Sequence, residues 1–428
     1  MRIKIQGRQP LRGTYRAAGN SNSALALLAA ALLTDSPVTL RNVPDTVGVG
    51  LMLEVGMALG LQPDSPDIRD GVLHLRPATG IGRALSREQT DVLGPILLYI
   101  APLLARRRHA HIMIDYAISR IQTHLTALRD LGCTVHIDGG QIDIKAEAWD
   151  RREIILTQTS VTATAITCMV AAALGKQTVI LNAASEPHIV DLLNLLAQFG
   201  VGVEGAGSNL LMIRGWGGAD PAIRPAAVTL APDHIEIGSV AAMAALTGGR
   251  VTIENTRQRD LRMIAKVYER LGVQLDLDES TVFVPRHEAI RVSGRDEDVD
   301  AVVESAPWPG FPSDLIGIAT LIATQSSGTT LIHEKLFPNR LLFVDRLLSM
   351  GAQIVLCDPH RAIVVGPTPL RADYIDNPDV RTGLGMLAAA LCAEGESVID
   401  TAEAFDRTFD HVLDKLPTLG ADIRRVEG

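Results

Sequence analysis

The stretch 160–205, SVTATAITCMVAAALGKQTVILNAASEPHIVDLLNLLAQFGVGVEG, decides how the whole chain is read. Ser160 and Thr162 are helix-opening residue types, and the small apolar run 163–174 has no breaker before Gly175, so a buried helix is predicted. The β-branched run 177–182 suits a strand. After the turn at Ser185, Glu186 and Pro187, residues Ile189, Leu192, Leu193, Leu196 and Phe199 recur at helical spacing up to Gly200. Two short strand-like runs follow, 201–204 and 210–214, parted by Gly205, Gly207 and Asn209 as a hairpin turn. The unit reads helix, strand, helix, strand, strand.

A repeat is tested by whether one landmark returns, and the glycine that ends the second helix does. Gly60, Gly132, Gly200, Gly272, Gly351 and Gly420 stand at intervals of 72, 68, 72, 79 and 69 residues. The first helix and its strand return too, as in SALALLAAALLTDSPVTLRNVP and EIGSVAAMAALTGGRVTIENTR. The sixth copy stops at Val426 without its last strand, whereas the chain opens on the strand-like MRIKIQG. The first strand is therefore expected to complete the last repeat. Six units then divide into two domains of three: 20–231, holding repeats 1–3, and 1–19 with 232–428, holding repeats 4–6.

Composition fits this size of fold. With 428 residues, 47% of them apolar and 21% charged, the chain can bury more than one core. The apolar run 93–105 is too short to span a bilayer and reads as a buried helix. Arg2 and Lys4 interrupt the N-terminal run where a secretion signal needs apolar residues, so a cytoplasmic location with no membrane partner is expected. Cys133, Cys168, Cys357 and Cys392 stand singly with no C-x-x-C spacing. Buried structural roles and no metal are expected for them. The net charge of −9 argues against nucleic acid as a partner, but leaves small anionic substrates open, because a site is set by its local field. The run Arg106, Arg107 and Arg108 reads as a solvated helix end beside the negative pole of the helix.

For chemistry, the first candidates are the openings of the first helices. The run 19–23, GNSNS, contains Ser21 and Asn22, whose hydroxyl, amide and backbone N–H groups suit an anion or a sugar hydroxyl. By itself the run reads more simply as an ordinary N-cap. Similar openings stand at Ser160, Val161 and Thr162, at Gly238 and Ser239, at Ser313 and Asp314, and at Arg381 and Thr382. If threefold pseudosymmetry makes the helices of each domain parallel, their positive ends converge, and two such faces would form an anion-binding cleft.

Longer motifs carry a resemblance. The run 306–314 (APWPGFPSD), the run 337–340 (FPNR), the triplet Asp379, Val380 and Arg381, and the pair Asp406 and Arg407 have the order and spacing of the enolpyruvyl transferases. The segment 183–191 (AASEPHIVD) and Asn22 with its helix are similar to the branch that acts on UDP-N-acetylglucosamine in peptidoglycan precursor synthesis. The resemblance spans essentially the whole chain. It implies an α/β fold with two inverse α/β barrels, each of three repeats, that close over substrate, and it implies no cofactor. The implied partners are phosphoenolpyruvate and a UDP-sugar or other nucleotide acceptor. The implied reaction adds an acceptor hydroxyl to C2 of phosphoenolpyruvate while C3 gains a proton, and the tetrahedral intermediate then loses phosphate. That chemistry needs a proton-handling carboxylate and cations around phosphate and carboxylate. By resemblance Asp314 is the carboxylate, while Arg340, Arg381 and Arg407 hold phosphoenolpyruvate, with Leu336 and Asp379 among the substrate-binding residues. Read without the resemblance, Asp314 is a helix cap and Arg407 pairs with Asp406 or Asp410.

The departures fall mainly in the first domain. Ser21 stands where the family has a lysine, and Gly94 stands near the position of an arginine. The loop that in the family carries a cysteine, the thiol alkylated by fosfomycin, or an aspartate is here shortened to about Tyr116, Ala117, Ile118 and Ser119. Arg120 follows it as a substrate-binding candidate, Gln158 replaces a lysine, and Ser160, Val161 and Thr162 are substrate-binding candidates by resemblance.

Overall fold

The six glycines that close the second helices all take left-handed backbone, with φ of 118° at Gly60, 79° at Gly132, 89° at Gly200, 91° at Gly272, 101° at Gly351 and 97° at Gly420. A Cβ is strained at such angles, so glycine lets each helix stop and the chain swing into the next strand. The computed structural model describes residues 1–65, 67–68, 70–222, 224–292, 301–378 and 384–426. Asp379, Arg381 and Thr382 lie outside the described residues.

Among the described residues there are six four-stranded sheets. The repeat has one more strand than its sequence suggests. In the third copy, Trp149–Ile155 precedes the first helix and pairs parallel with Gly175–Leu181. That strand pairs antiparallel with Leu210–Arg214, which pairs antiparallel with Gly202–Glu204. The unit is strand, helix, strand, helix, strand, strand. Two of the leading strands, Ala84–Leu85 and Tyr374–Ile375, are only two residues long, and parallel pairing rather than sequence pattern defines them.

Chain order and sheet order part company at three places, one of them the parallel pairing of Arg12–Arg16, near the N-terminus, with Arg250–Glu254 of the fourth repeat. Ala226–Thr229, after the third repeat, supplies the leading strand to Val38–Arg41 of the first. The N-terminal strand Arg2–Gln6 lies between Glu396–Ile399 and Asp422–Val426, antiparallel to both. The chain falls into two compact units, Gly19–Ala231 and Met1–Ala18 with Pro232–Gly428.

Each unit buries its own apolar cluster around the first helices of its repeats. In one unit these are Ser21–Ala31, Ile100–Arg107 and Val161–Leu174; in the other, His234–Leu246, Ile316–Gln325 and Gly385–Cys392. Ten of the eleven residues of Ser21–Ala31 are buried, which is why the helix is rich in Ala and Leu and has no polar stripe. Truncating Leu27 or Leu28, both fully buried, to Ala would cost about 2–5 kcal/mol. The strands alternate instead, as in the pattern of Gln141–Lys145, with one face on the core and the other outward.

A device repeated in both units ties the leading strand to its neighbour. Asn42, Asn182 and Asn255 each end the second strand in left-handed backbone, at φ of 60°, 57° and 57°. Their amides donate to the carbonyls of Leu230, Leu156 and Ala17 at 3.0, 2.8 and 2.8 Å. Asn tolerates that backbone and supplies the bridge in one residue.

Three expectations need correction. The fourth repeat's first helix begins at His234, so Gly238 and Ser239 lie a turn inside it rather than at its opening. Repeat two opens its buried helix with the 3-10 segment Gly94–Tyr99, which carries Pro95 in its first turn, where a missing backbone donor is tolerated. Cys357 is exposed on the outward face of Gln353–Asp358, whereas Cys133, Cys168 and Cys392 are buried.

Candidate active site

In the unit Met1–Ala18 with Pro232–Gly428, the openings of the three buried helices meet. A side-chain carbon built on Gly385 would lie 3.4 Å from the carbonyl carbon of Gly317, so the first turns of two helices touch at backbone distance. One built on Gly238, a turn into the third helix, would lie 2.9 Å from Leu315 Cδ1, so that helix packs against the same junction. Positive helix ends gathered in this way favour negative charge, on a ligand or on a side chain.

Asp314 stands at that junction on the 3-10 turn Ser313–Leu315, and Arg340 opens the 3-10 turn Arg340–Phe343 of the same repeat. Arg340 Nη1 donates to Asp314 Oδ1 and to Ser313 Oγ, both at 2.8 Å. The guanidinium carbon lies 4.7 Å from the centre of the Phe337 ring, a cation–π contact. Arg340 is largely covered, at 15% side-chain exposure, while Asp314 is half open at 49%, so the arginine is held and the carboxylate faces out.

Next to this pair lies a buried acidic cluster. Asp233 caps His234–Leu246 by accepting from the N–H groups of Ile235 and Glu236 at 2.9 and 3.2 Å. Burial pushes its carboxyl up to about 7; the charge of Glu236 adds to the rise, the two N–H bonds oppose it, and Asp314 adds further. Burial raises Glu236 as well, against the pull of Lys415 and of Tyr15, whose hydroxyl donates to Glu236 Oε1 at 2.6 Å. Lys415 Nζ lies 2.9 Å from Asp410 Oδ2 and 3.7 Å from Glu236 Oε1. Burial pushes His234 down to about 4, leaving its ring neutral and packed 5.0 Å from that of Trp308.

The unit Gly19–Ala231 presents a different set. Asn20 caps Ser21–Ala31, its side chain accepting from Ser23 N–H at 3.2 Å, with Ser21 buried and Asn22 exposed on the first turn. Ser23 Oγ and the N–H of Ala231 both donate to buried Asp191, at 2.7 and 2.8 Å. Ser160 caps Val161–Leu174 by accepting from Ala163 N–H at 3.3 Å, and Val161 and Thr162 are half-buried beside it. Thr162 Oγ1 lies 2.7 Å from Nε2 of His124, whose pKa burial lowers.

This architecture, six repeats around buried helices with the openings of one unit gathered on a carboxylate and an arginine, has counterparts. The EPSP synthase (3-phosphoshikimate 1-carboxyvinyltransferase) family matches residues 5–416. The chain belongs to the EPSP synthase family of carboxyvinyltransferases. Within the family, the UDP-N-acetylglucosamine 1-carboxyvinyltransferase of Treponema denticola is 37% identical over 99% of both chains, and that of Treponema pallidum 38% identical over 98% of both. The enolpyruvyl transferase NikO from Streptomyces tendae shares the fold at a TM-score of 0.88 and 23% identity, covering 99% of this chain and 98% of its own. EPSP synthase from Acinetobacter baumannii shares it at 0.76 and 14%, covering both chains in full.

Of the residues that this carboxyvinyltransferase family pattern singles out, the structure joins Asp314 to Arg340. Arg407 ends the 3-10 turn Ala402–Arg407, exposed, and forms no ion pair with Asp406 or Asp410 among the described residues. Arg120 sits on the 3-10 turn Ile118–Ile121, exposed, 5.9 Å from the Tyr116 ring. Arg120, Arg340 and Arg407 thus occupy the same place in three repeats, the 3-10 turn ahead of the second helix. Leu336 is 37% exposed on the turn before Arg340. Sequence reasoning missed Asp233, Glu236 and Lys415. The spacing Asp-x-x-Glu at 233–236, a helix-start signature, was the available signal.

Proposed function

We propose that the chain transfers the enolpyruvyl group of phosphoenolpyruvate to a hydroxyl of UDP-N-acetylglucosamine, releasing phosphate, as a cytoplasmic step of peptidoglycan precursor synthesis. The observation that carries this is the 37–38% identity, over 98–99% of both chains, to proteins of that name. The acceptor O–H adds across the enol double bond, oxygen to C2 and a proton to C3. Loss of a C3 proton and cleavage of the C2–O bond to phosphate then restore the double bond. Asp314 is the proton-handling carboxylate in this reading, supported by its half-open position beside Arg340. Arg340, with Arg381 and Arg407, meets the carboxylate and phosphate, for which forked guanidinium donors are suited. Asn22, Ser21, Arg120, Ser160, Val161, Thr162, Leu336 and Asp379 complete the substrate-binding set. Ser21 brings no charge where the family has a lysine, so phosphate capture rests on the arginines.

The test is inorganic phosphate release from phosphoenolpyruvate across a panel of UDP-sugars and free nucleotides. The reading predicts release that depends on UDP-N-acetylglucosamine. Release with a different acceptor instead contradicts the acceptor, and none with any acceptor contradicts the reaction.

A further inference from the structure

We propose that Glu334 is a positioning residue for the Asp314–Arg340 pair, an inference that rests on the carboxyvinyl transfer proposed above. Glu334 directly follows the strand Gly328–His333 and is fully buried. Its Oε1 accepts from the N–H groups of Leu336 and Phe337, at 2.7 and 3.0 Å, and its Oε2 accepts from the hydroxyl of Ser313 at 2.5 Å. No ion pair joins it to a cation among the described residues.

A buried carboxylate held only by neutral donors is costly. Capping the turn at Leu336 and Phe337 requires one acceptor oxygen, which a glutamine also has. What the carboxylate adds is a second acceptor, and it is used on Ser313. A serine hydroxyl has one proton; with that proton directed at Glu334, its lone pairs are left for Arg340 Nη1, which donates to Ser313 Oγ at 2.8 Å and to Asp314 Oδ1 at the same distance. The other oxygen of Glu334 fixes the backbone of Phe337, whose ring covers the guanidinium. One carboxylate thus sets both the flank and the face of Arg340, without touching Asp314.

The test combines steady-state kinetics with phosphoenolpyruvate and UDP-N-acetylglucosamine, calorimetry and thermal melting. Glu334→Gln keeps the turn's acceptor but reverses the polarity toward Ser313. It is expected to lower kcat about 10- to 100-fold, with affinity for UDP-N-acetylglucosamine unchanged. Ser313→Ala should match it, Ser313→Thr should keep activity within a few-fold, and the double variant Glu334→Gln/Ser313→Ala should lose no more than the worse single, because both act on one contact. Native kcat in Glu334→Gln, or losses that multiply in the double variant, would overturn the proposal. If Glu334→Gln does not fold, Ser313→Ala against Ser313→Thr decides: loss only in the alanine variant supports the relay, and two native variants overturn it. If the native protein turns over no acceptor, the function reading fails while phosphoenolpyruvate binding still tests Glu334. An approximately tenfold weakening in Glu334→Gln then supports positioning, and unchanged affinity, or no binding by the native protein, overturns it.

Discussion

The two units repeat one pattern of strands and helices, yet the openings of their buried helices carry different chemistry. In Gly19–Ala231 the caps are Asn20 and Ser160, and their neighbours are hydroxyls, with Ser23 bound to Asp191 and Thr162 to His124. In the other unit the openings carry Asp233 and Asp314, with Arg340 on the latter and Lys415 close to Glu236. The scaffold supplies the same positive helix ends in both; the first-turn side chains decide whether such an end presents hydroxyls or charged groups.

Asp314→Asn attacks the charged unit directly. It preserves shape and removes the proton acceptor, so turnover should fall at least about 100-fold while UDP-N-acetylglucosamine still binds. Full activity would dissolve the contrast between the units. Arg340→Ala and Arg407→Ala should each weaken phosphoenolpyruvate binding, by about 1.5–3 kcal/mol for a charge-assisted contact, and calorimetry reads the difference. Unchanged affinity in Arg407→Ala would make it a surface residue only.

A smaller effect separates the two units by pH. The Asp233 carboxyl, raised from 3.8 to about 7 by burial first, favours the folded state while protonated, so its contribution is complete below about 4 and lost as pH rises through 7. His234, lowered from 6.5 to about 4, acts the other way between those values, opposing folding as pH falls. Asp233→Asn keeps an acceptor for the cap, and should melt higher than the native protein at pH 8, by about 2–4 °C per kcal/mol recovered, but not at pH 4. A native-like difference at both values would contradict the buried charge. The smallest expected signal is chemical. Burial pushes Cys133 up to about 11 and Cys168 and Cys392 up to about 12, so native protein should take up one equivalent of iodoacetamide, at exposed Cys357, and no stoichiometric fosfomycin adduct.

The sixfold period was legible because left-handed glycine after a helix is a backbone requirement, and the buried helices because runs such as SALALLAAALL admit only an interior. The leading strands were not, since two residues such as Ala84 and Leu85 carry no alternation and are defined only by the parallel neighbour that recruits them. Asn42, Asn182 and Asn255 were readable in RNVP, LNAAS and ENTR, but their bridging role depends on carbonyls far away in sequence. At the site, the long motifs gave Asp314 and Arg340. Asp233 was hidden by placing the helix start at Gly238, four residues late, and Glu334 looks like any residue at a strand end until its burial is seen.

The most direct test of the division between a charge-bearing unit and a hydroxyl-bearing one is identification of the product. Native protein and Asp314→Asn are each mixed with phosphoenolpyruvate and UDP-N-acetylglucosamine, and the nucleotide is analysed by mass spectrometry and NMR. The account predicts the enolpyruvyl ether of UDP-N-acetylglucosamine, equimolar with phosphate, from the native protein, and bound but unchanged nucleotide sugar from the variant. Recovery of unmodified UDP-N-acetylglucosamine from the native protein, or of equal product from both, would contradict it.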